Sequence, residues 1–404
     1  MSKTLPFSSN TGILAQPLTV ETHTFPNRLA IQPMEGCDSS PNGTPGELTF
    51  RRYHRFAEGG AGLIWVEACA VVDAGRANPK HMYIHKNNVD TYARLVSEMR
   101  ETAFKAHGIN PVIILQATHA GRYSKPHGTE RIPVIARNNP IFEGDTPLPP
   151  ECIISDDELK ALEEEFVWAS ILAKEAGFDG VDIKACHGYL LCELLAAYTR
   201  PGLYGGDFDN RTRFIRNVFE GVRGAIPANF LVTSRINIYD AYPYPYGFGV
   251  TPGRDIEPDL SEPIRLLEIL KPSLLNITMG NPYQNSHVNR PGDMESVERM
   301  CNLTKEIQTA FPDMAVVGSG VSYLKERSGS LAAGYVETGV CKIVGWGRMS
   351  FAYPNFPQDI LNDSFDKGQT CLCCAGCTKL MRAGQSTGCA IRDDIYNRLY
   401  KEHC

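Results

Sequence analysis

The chain has 404 residues, of which 43% are hydrophobic and 21% are charged, and its formal net charge is −6. This composition is typical of a globular enzyme-sized protein, and the acidic balance gives no electrostatic reason to expect binding to nucleic acid or to an anionic membrane. A small-molecule substrate is therefore the expected partner. The first twenty residues lack a continuous apolar stretch of signal-peptide length, and Glu67 and Glu193 interrupt the most apolar later runs, which predicts a cytoplasmic protein.

Short apolar runs alternate with longer amphipathic segments along the whole chain. They lie at 29–34, 62–68, 111–117, 180–185, 230–236, 273–278, 314–320 and 341–347. Eight such runs with helical spacers predict an α/β fold, a (β/α)8 TIM barrel, and a doubly wound parallel sheet is the alternative.

Between the runs, Ser155 and Glu158 form a capping-box pattern, which predicts the start of a helix that ends at Gly177. The segments 120–153 and 239–262 are rich in Pro, Gly and Tyr. We expect them to be long loops over the mouth of the barrel, where substrates are usually bound.

Several predicted strands carry polar side chains near their C-terminal ends. Asp182 and Lys184 share one face of the fourth strand, and the same alternation singles out Glu67, Gln116 and Arg235. A charge on the helix-packed face would lose its hydration without compensation, so these side chains are expected to point into the barrel. Active sites of this fold lie at that end of the strands. The alternative is a polar plug whose hydrogen bonds are satisfied internally.

Glycine-rich turns follow the seventh and eighth strands. They are Gly318-Ser319-Gly320 and Gly345-Trp346-Gly347-Arg348. Small residues let backbone amides approach an anion, and the guanidinium of Arg348 stands beside them, at the usual phosphate site of the fold. The sequence contains no complete G-x-G-x-x-G after a predicted strand, so a Rossmann domain is not predicted.

Five of the thirteen cysteines lie between residues 371 and 389. Cys371, Cys374, Cys377 and Cys389 have the spacing C-x2-C-x2-C-x11-C, which suits a 4Fe-4S cluster with three nearby thiolates and a distant fourth. Structural zinc is the alternative, and Cys373 could replace a neighbour as ligand. We expect a barrel over 1–352, followed by a linker and cluster segment over 353–404.

Several segments resemble the old yellow enzyme family and, within it, the iron–sulfur branch that includes bacterial 2,4-dienoyl-CoA reductase and trimethylamine dehydrogenase. They are the cysteine segment, NRLAIQPM (27–34), ILQATHAGR (114–122), GFDGVDIKACHGYLLCELL (177–195) and YGGDFDNRTRF (204–214). The resemblance implies an FMN across the barrel mouth, in contact with Pro33, Met34, Ala68, Gln116 and Arg235. It implies a phosphate site at Gly318, Ser319, Gly320, Gly347 and Arg348.

The same resemblance assigns the substrate site to the motif KACHGY (184–189). Lys184 and His187 are implied to hold the carbonyl oxygen of the substrate, and Tyr189 is implied to donate a proton. Many relatives have His where this chain has Lys184. A buried lysine needs an anionic partner, and either Asp182 or a carboxylate of the substrate is expected to supply it. Taken singly, Tyr189 and His187 could also be packed core residues.

A second departure from the family follows Met34. The next residue often touches the flavin and is a flavin-bonded cysteine in trimethylamine dehydrogenase-like proteins. This chain has Glu35 there, and Cys37 is two residues out of register. We therefore expect non-covalent FMN, with Glu35 beside it and able to perturb its redox potential.

The implied activity is that of an FMN-dependent ene-reductase. Hydride would pass from the reduced flavin N5 to the β carbon of an activated alkene (an enone, enoate or enoyl thioester), and Tyr189 would protonate the α carbon. NAD(P)H or an electron-donor protein would supply electrons, with the cluster as a relay or a structural element. Longer relatives continue into FAD- and NAD(P)H-binding domains, whereas this chain ends fifteen residues after Cys389.

Two other functions remain open from the sequence. One is an amine or C–N bond dehydrogenase of the trimethylamine dehydrogenase type, which passes electrons to a carrier. The other is a non-catalytic flavin and iron–sulfur electron-transfer protein. The sequence leaves the oligomeric state open.

Overall fold

The computed structural model describes residues 5–128, 130–253 and 255–404. The first two strands, β1 (Leu18–Val20) and β2 (His23–Phe25), form an antiparallel hairpin. The other nine strands form one sheet in which every pairing is parallel. They are β3 (Leu29–Ile31), β4 (Leu63–Ala70), β5 (Val112–Thr118), β6 (Gly180–Ile183), β7 (Leu231–Thr233), β8 (Arg235–Asn237), β9 (Leu274–Thr278), β10 (Ala315–Gly318) and β11 (Ile343–Trp346).

The nine strands occupy eight positions of a closed barrel. Strands β7 and β8 are two halves of one strand interrupted at Ser234, with β7 paired to β6 and β8 paired to β9. At the interruption, the Ser234 hydroxyl donates to the Ile183 carbonyl at 2.7 Å and the Ser234 carbonyl accepts from Asn276 N at 3.0 Å. All eight apolar runs of the sequence coincide with these strands, so the predicted (β/α)8 barrel is confirmed. Residues 1–4, and positions 129 and 254 of the two predicted loops, lie outside the described residues.

Helices surround the barrel, and the longer ones follow individual strands. They are α1 (Glu47–Glu58), α2 (Val89–His107), α3 (Pro140–Glu143), α4 (Asp156–Glu175), α5 (Leu190–Leu195), α6 (Phe208–Arg211), α7 (Arg213–Ala225), α8 (Ser261–Leu270), α9 (Ser286–Asn289), α10 (Met294–Ala310), α11 (Ser328–Glu337), α12 (Arg348–Ala352), α13 (Phe356–Leu361), α14 (Gly376–Arg382) and α15 (Asp394–His403). Short 3-10 turns lie at Thr11–Ala15, Asp73–Gly75, Gly121–Tyr123, Pro150–Cys152, Val321–Arg327 and Lys367–Gln369. Within the part of the chain that the structure describes, no helix is long and apolar enough to span a bilayer.

Two apolar layers follow from the alternation of side chains along the strands. The layer between strands and helices is the larger one, and a smaller cluster fills the interior of the barrel. Val20 and Phe25 of the β1–β2 hairpin belong to that interior cluster, together with Leu63, Trp65 and Ile114. The hairpin therefore fills the N-terminal end of the barrel, and the open end lies at the C-terminal ends of the strands.

The alternation fails at one predicted position, Glu67. The register between β4 and β5 shifts between Val66 and Ala68, so that Ala68 rather than Glu67 stands opposite Gln116. A bulge of this kind inserts one residue and re-aims the neighbouring side chain. Glu67 consequently contacts Arg52 and Tyr53 of α1 instead of the barrel interior, and its predicted inward orientation is wrong.

The predicted start of α4 is confirmed, and it generates a test of stability. Ser155 Oγ accepts from Glu158 N at 3.2 Å, while Glu158 Oε2 accepts from Ser155 N at 2.8 Å. Replacing a serine cap by alanine leaves an amide of the first turn unpaired. We expect Ser155→Ala to lower the free energy of unfolding by about 1 kcal/mol in urea titrations. Ser97→Ala, at an exposed site within α2, should be neutral or slightly stabilising, and an equal loss in both variants would contradict the role of the cap.

Candidate active site

The C-terminal ends of the strands surround a cleft that opens to solvent. Cofactor and substrate sites of this fold lie at that end of the barrel. Most of the residues predicted for cofactor and substrate line it: Pro33, Met34, Glu35, Gln116, Lys184, His187, Tyr189, Arg235, Ser319, Gly320, Gly347 and Arg348.

Two predicted cofactor residues stand apart from the cleft lining. The carbonyl oxygen of Ala68 lies 2.7 Å from His81 Nε2 and is therefore already engaged in a hydrogen bond. Gly318 is the last residue of β10, where a β carbon would stand 2.8 Å from Cys341 Sγ, on the side facing away from the barrel. Contacts of Ala68 and Gly318 with a cofactor therefore remain predictions.

Asp182 forms the polar centre at the base of the cleft. Its Oδ2 accepts from Gln116 Nε2 at 2.6 Å and from Trp65 Nε1 at 2.8 Å, and its Oδ1 accepts from Arg235 N at 2.5 Å. Burial raises the pKa of Asp182 to about 6 despite these bonds. The carboxyl group thus holds the amide of Gln116 in place and fixes the backbone where β8 begins.

Lys184 is balanced by Glu35 rather than by Asp182, and a substrate carboxylate beside it remains a prediction. Lys184 Nζ lies 3.4 Å from Glu35 Oε1, and the Tyr189 hydroxyl donates to the same oxygen at 2.8 Å. Lys184 Nζ also lies 3.7 Å from the centre of the Tyr189 ring. Burial opposes ionisation of Glu35, but the charges of Lys184 and His81 and the bond from Tyr189 prevail and lower the pKa of Glu35. Glu35 is therefore a carboxylate that holds Lys184 and Tyr189 together.

His187 and Tyr189 are presented by a tight turn between β6 and α5. His187 and Gly188 both have left-handed backbone conformations, with φ of 65° and 70°. A β carbon at Gly188 would stand 2.2 Å from Asn281 Nδ2, so glycine is required there sterically as well. Burial and the charges of Arg235 and Lys184 lower the pKa of His187 well below its ordinary value. The imidazole is consequently neutral at physiological pH.

The lining of the cleft fits an FMN. Gln32 Nε2 and Arg235 Nε are buried yet have no hydrogen-bond partner among the described residues, and buried donors without partners are costly. The ring system of a flavin carries carbonyl and nitrogen acceptors that could receive such bonds. A β carbon at Gly345 would stand 2.4 Å from Gln32 Nε2, so β11 passes close to this donor group. Arg348 lies next to Gly347 in the lining, where a phosphate could be bound.

The predicted cluster cysteines lie in the C-terminal segment around α14. Cys371, Cys377 and Cys389 are partly buried against the core of the barrel, whereas Cys374 is exposed. Cys377 also lines the cleft. None of the thirteen cysteines forms a disulfide. Among the described residues, no group of three or more His, Cys, Asp or Glu side chains stands ready to hold a metal ion. The donor chemistry fits a cluster, and a cluster on these thiols remains a prediction.

The sequence did not single out several residues around Tyr189. Tyr283, in the loop after β9, stacks on Tyr123 with ring centres 4.0 Å apart, and both rings pack near Tyr189. The Tyr123 hydroxyl accepts from Asn281 Nδ2 at 3.0 Å. Their position in loops at the C-terminal ends of strands was the available signal.

A buried ion-pair network holds the segment that carries Glu35. Arg52 of α1 lies 2.8 Å from Asp38 Oδ1 and 2.7 Å from Glu67 Oε1, and Glu67 Oε2 accepts from Gly36 N at 2.6 Å. Burial raises the pKa of Glu67 to about 7, although the charge of Arg52 opposes this. The bulge at Glu67 therefore connects β4 to the segment 33–38.

A family model described as "NADH:flavin oxidoreductase / NADH oxidase family" matches residues 13–364 of the chain. An NADPH dehydrogenase of Bacillus subtilis is 33% identical over 216 residues, which are 52% of this chain and 60% of that protein. An NADPH dehydrogenase of Clostridium acetobutylicum is 28% identical over 295 residues, which are 70% of this chain and 80% of that protein.

Two solved structures share the architecture. A complex of 2-naphthoyl-CoA reductase with 2-naphthoyl-CoA aligns with a TM-score of 0.80 and 18% identity, over 96% of this chain and 58% of that one. Histamine dehydrogenase from Rhizobium sp. 4-9 aligns with a TM-score of 0.73 and 21% identity, over 94% of this chain and 52% of that one. At these identities the likeness establishes the barrel fold. The chain spans little more than half the length of either structure.

The Arg52 network predicts a stability loss that depends on pH. Arg52→Met leaves Asp38 and Glu67 as buried carboxylates without a cation, which should cost about 3–5 kcal/mol at pH 8. In the variant the folded-state pKa of Glu67 lies further above its unfolded value, so the penalty is full above the folded pKa and shrinks as the pH falls. Urea titrations at pH 8 and pH 5 should show the larger loss at pH 8. Arg216→Met, at a surface ion pair, should change stability little, and equal losses for Arg52→Met at both pH values would contradict this account.

Proposed function

The chain belongs to the NADH:flavin oxidoreductase / NADH oxidase family, and on that premise we propose that it is an FMN-dependent ene-reductase. Its substrates would be alkenes activated by a carbonyl group, such as enones, enoates or enoyl thioesters. NAD(P)H would supply the electrons, consistent with the names of the relatives, and an electron-donor protein is the alternative. The reaction class rests on the residues of the cleft rather than on the fold.

One observation carries this proposal: a buried phenol and a lysine meet at one carboxylate in the same cleft as a neutral histidine. Tyr189, Lys184 and His187 all line the cleft and come from a single turn after β6. Burial and the neighbouring Glu35 raise the pKa of Tyr189 well above its ordinary value, so the phenol keeps its proton until a strong base forms beside it. A carbanion next to a carbonyl group, formed when an activated alkene is reduced, is such a base.

The residues that would hold FMN are Gln32, Gln116 and Arg235 around its ring system, and Ser319, Gly320 and Arg348 at its phosphate. When bound, FMN supplies the hydride chemistry that connects NAD(P)H to the alkene. Arg235 would place a fixed positive charge beside the ring system, in a barrel mouth where such charges act strongly. Cys37 lines a second cavity instead of the cleft, which supports non-covalent binding.

The residues of the chain would act on the substrate in two ways. Lys184 and His187 would donate hydrogen bonds to the carbonyl oxygen, which withdraws electron density from the β carbon and stabilises the negative charge that develops on the oxygen. Tyr189 would then give its proton to the α carbon as a general acid. Because Glu35 already balances Lys184, a substrate carboxylate is not needed for charge compensation, and neutral enones remain suitable substrates.

The role of Tyr189 is tested by removing its hydroxyl group. Tyr189→Phe should retain FMN and be reduced by NADPH at the parent rate, since the phenol takes no part in that step. Oxidation of the reduced protein by an enone should slow by roughly 100-fold or more, the usual effect of a general acid. Stopped-flow absorbance under anaerobic conditions measures both half-reactions.

Tyr204→Phe is the matched control, because its hydroxyl group interacts with Glu163 on the outside of the barrel. If Tyr189→Phe oxidised with the enone at the parent rate, Tyr189 would not be the donor. The dehydrogenase alternative would replace the ene-reductase if two results were obtained together. No alkene would oxidise the reduced parent protein, and amines would reduce the oxidised parent protein.

We further propose that residues 353–404 form a segment that carries a 4Fe-4S cluster on Cys371, Cys374, Cys377 and Cys389. The cysteine spacing and the partial burial of three of these thiols against the barrel support it. Protein prepared without oxygen should contain about four irons and four labile sulfides per chain. Cys374→Ala should lose them, whereas Cys404→Ala and Cys373→Ala should keep them. One zinc per chain without labile sulfide would contradict the cluster.

A further inference from the structure

We propose that Glu35 is the group that returns a proton from solvent to Tyr189 after each turnover. This inference rests on the proposed function, because it presumes that Tyr189 gives its proton to the substrate. It assigns Glu35 a role in proton transfer in addition to the contact with the cofactor that the sequence suggested.

The first support is the contact between the two side chains. The Tyr189 hydroxyl donates to Glu35 Oε1 at 2.8 Å, a distance across which a proton can pass directly. The Tyr189 ring also contacts Tyr123 and Tyr283, whose phenols burial makes still weaker acids than free tyrosine. It contacts Lys184 as well, but the Lys184 side chain is only 3% exposed and has little access to solvent. Glu35 is thus the neighbouring group best able to deliver a proton to Tyr189.

The second support is access to solvent. Tyr189 is 1% exposed and the Lys184 side chain 3%, whereas the Glu35 side chain is 15% exposed. Of the three groups that meet at this point, Glu35 is therefore the most exposed. A proton could reach Tyr189 from solvent through this carboxylate.

The third support is that Glu35 lines two cavities. One is the cleft described above, and the other is a second opening lined by Cys37, Asn78, Lys125 and Gln284 among others. FMN and substrate would fill the cleft and exclude water from it. The second opening would stay available, and Glu35, which accepts the hydrogen bond of Tyr189, forms part of its wall.

The charges around Glu35 explain how the relay would run. At rest Glu35 is a carboxylate paired with Lys184, and Tyr189 is a phenol. When Tyr189 loses its proton to the α carbon, two negative groups share the single charge of Lys184, and the repulsion favours proton uptake by Glu35. Glu35 takes this proton from water and passes it to the phenolate, which restores both groups. The other titratable groups that face Glu35 are His81, Cys37, Cys186 and Tyr283.

The relay predicts a distinctive time course for Glu35→Gln. Each Tyr189 carries one proton at the start, so the first turnover should slow only through the weakened contact of residue 35 with Lys184 and Tyr189. Later turnovers should be slower than the first by at least roughly 10-fold, because the amide cannot carry a proton from solvent. Rapid-quench measurement of product, with excess NADPH and enone, should show a burst of about one product per chain. Glu130→Gln, at an exposed carboxylate on the rim next to Arg131, should show no burst.

Two further readouts separate a relay from a merely structural role. After a single turnover, Glu35→Gln should retain a tyrosinate band in its ultraviolet difference spectrum, and the double variant Glu35→Gln/Tyr189→Phe should lack that band. In Glu35→Ala, acetate or formate should restore the later turnovers in proportion to its concentration. Glu35→Asp keeps the charge beside Lys184 and therefore the fold, but its shorter side chain should also give a burst followed by slower turnover.

Three results would overturn the relay: parent-like turnover in Glu35→Gln, an equal slowing of the first and later turnovers, or failure of small acids to rescue Glu35→Ala. These results differ from failure of the proposed function. In that case Tyr189→Phe itself would react with the alkene at the parent rate.

Discussion

A carboxyl group inside a closed barrel needs hydrogen-bond donors, and the way in which Asp182 obtains them organises the whole mouth. Its donors come from β4, β5 and the first residue of β8, so one side chain connects three positions of the barrel. Gln116 is held by its amide nitrogen, and Arg235 is held by its backbone nitrogen. The guanidinium of Arg235 consequently stays free of Asp182 and is left among the groups that line the cleft.

The next charge along the same strand is compensated from a different direction. Lys184 points to the same side as Asp182, yet its partner Glu35 comes from the segment after β3, 149 residues earlier in the chain. That segment is in turn fixed through Gly36 and Glu67 to α1. The proton donor, the lysine and the carboxylate are therefore positioned by separate parts of the fold, which limits how far any of them can move alone.

Most of the barrel could be predicted from the sequence, because apolar runs and the strict alternation of strands are local properties. Gln116, Asp182 and Arg235 were placed correctly for that reason. Glu67 was placed wrongly because a single bulge reverses the alternation, and no local signal marked it. The partner of Lys184 was also missed: the sequence shows which residues are near each other on one strand but not which loop covers them. The contacts of Tyr189 with Glu35 and Tyr283 could not be predicted for the same reason, since three different loops meet there.

The C-terminal segment contributes to the wall of the cleft as well as to the proposed cluster. Thr387 N donates to the Gly36 carbonyl at 2.6 Å, and Cys377, Met381 and Arg382 line the cleft. A ribosome finishes the eighth barrel strand at Trp346, before any of these residues has been made, and domains generally fold from the N-terminus during synthesis. A barrel that closes before these residues dock would have a wider mouth, through which a bulky cofactor could enter unobstructed. The C-terminal segment narrows that entrance when it docks.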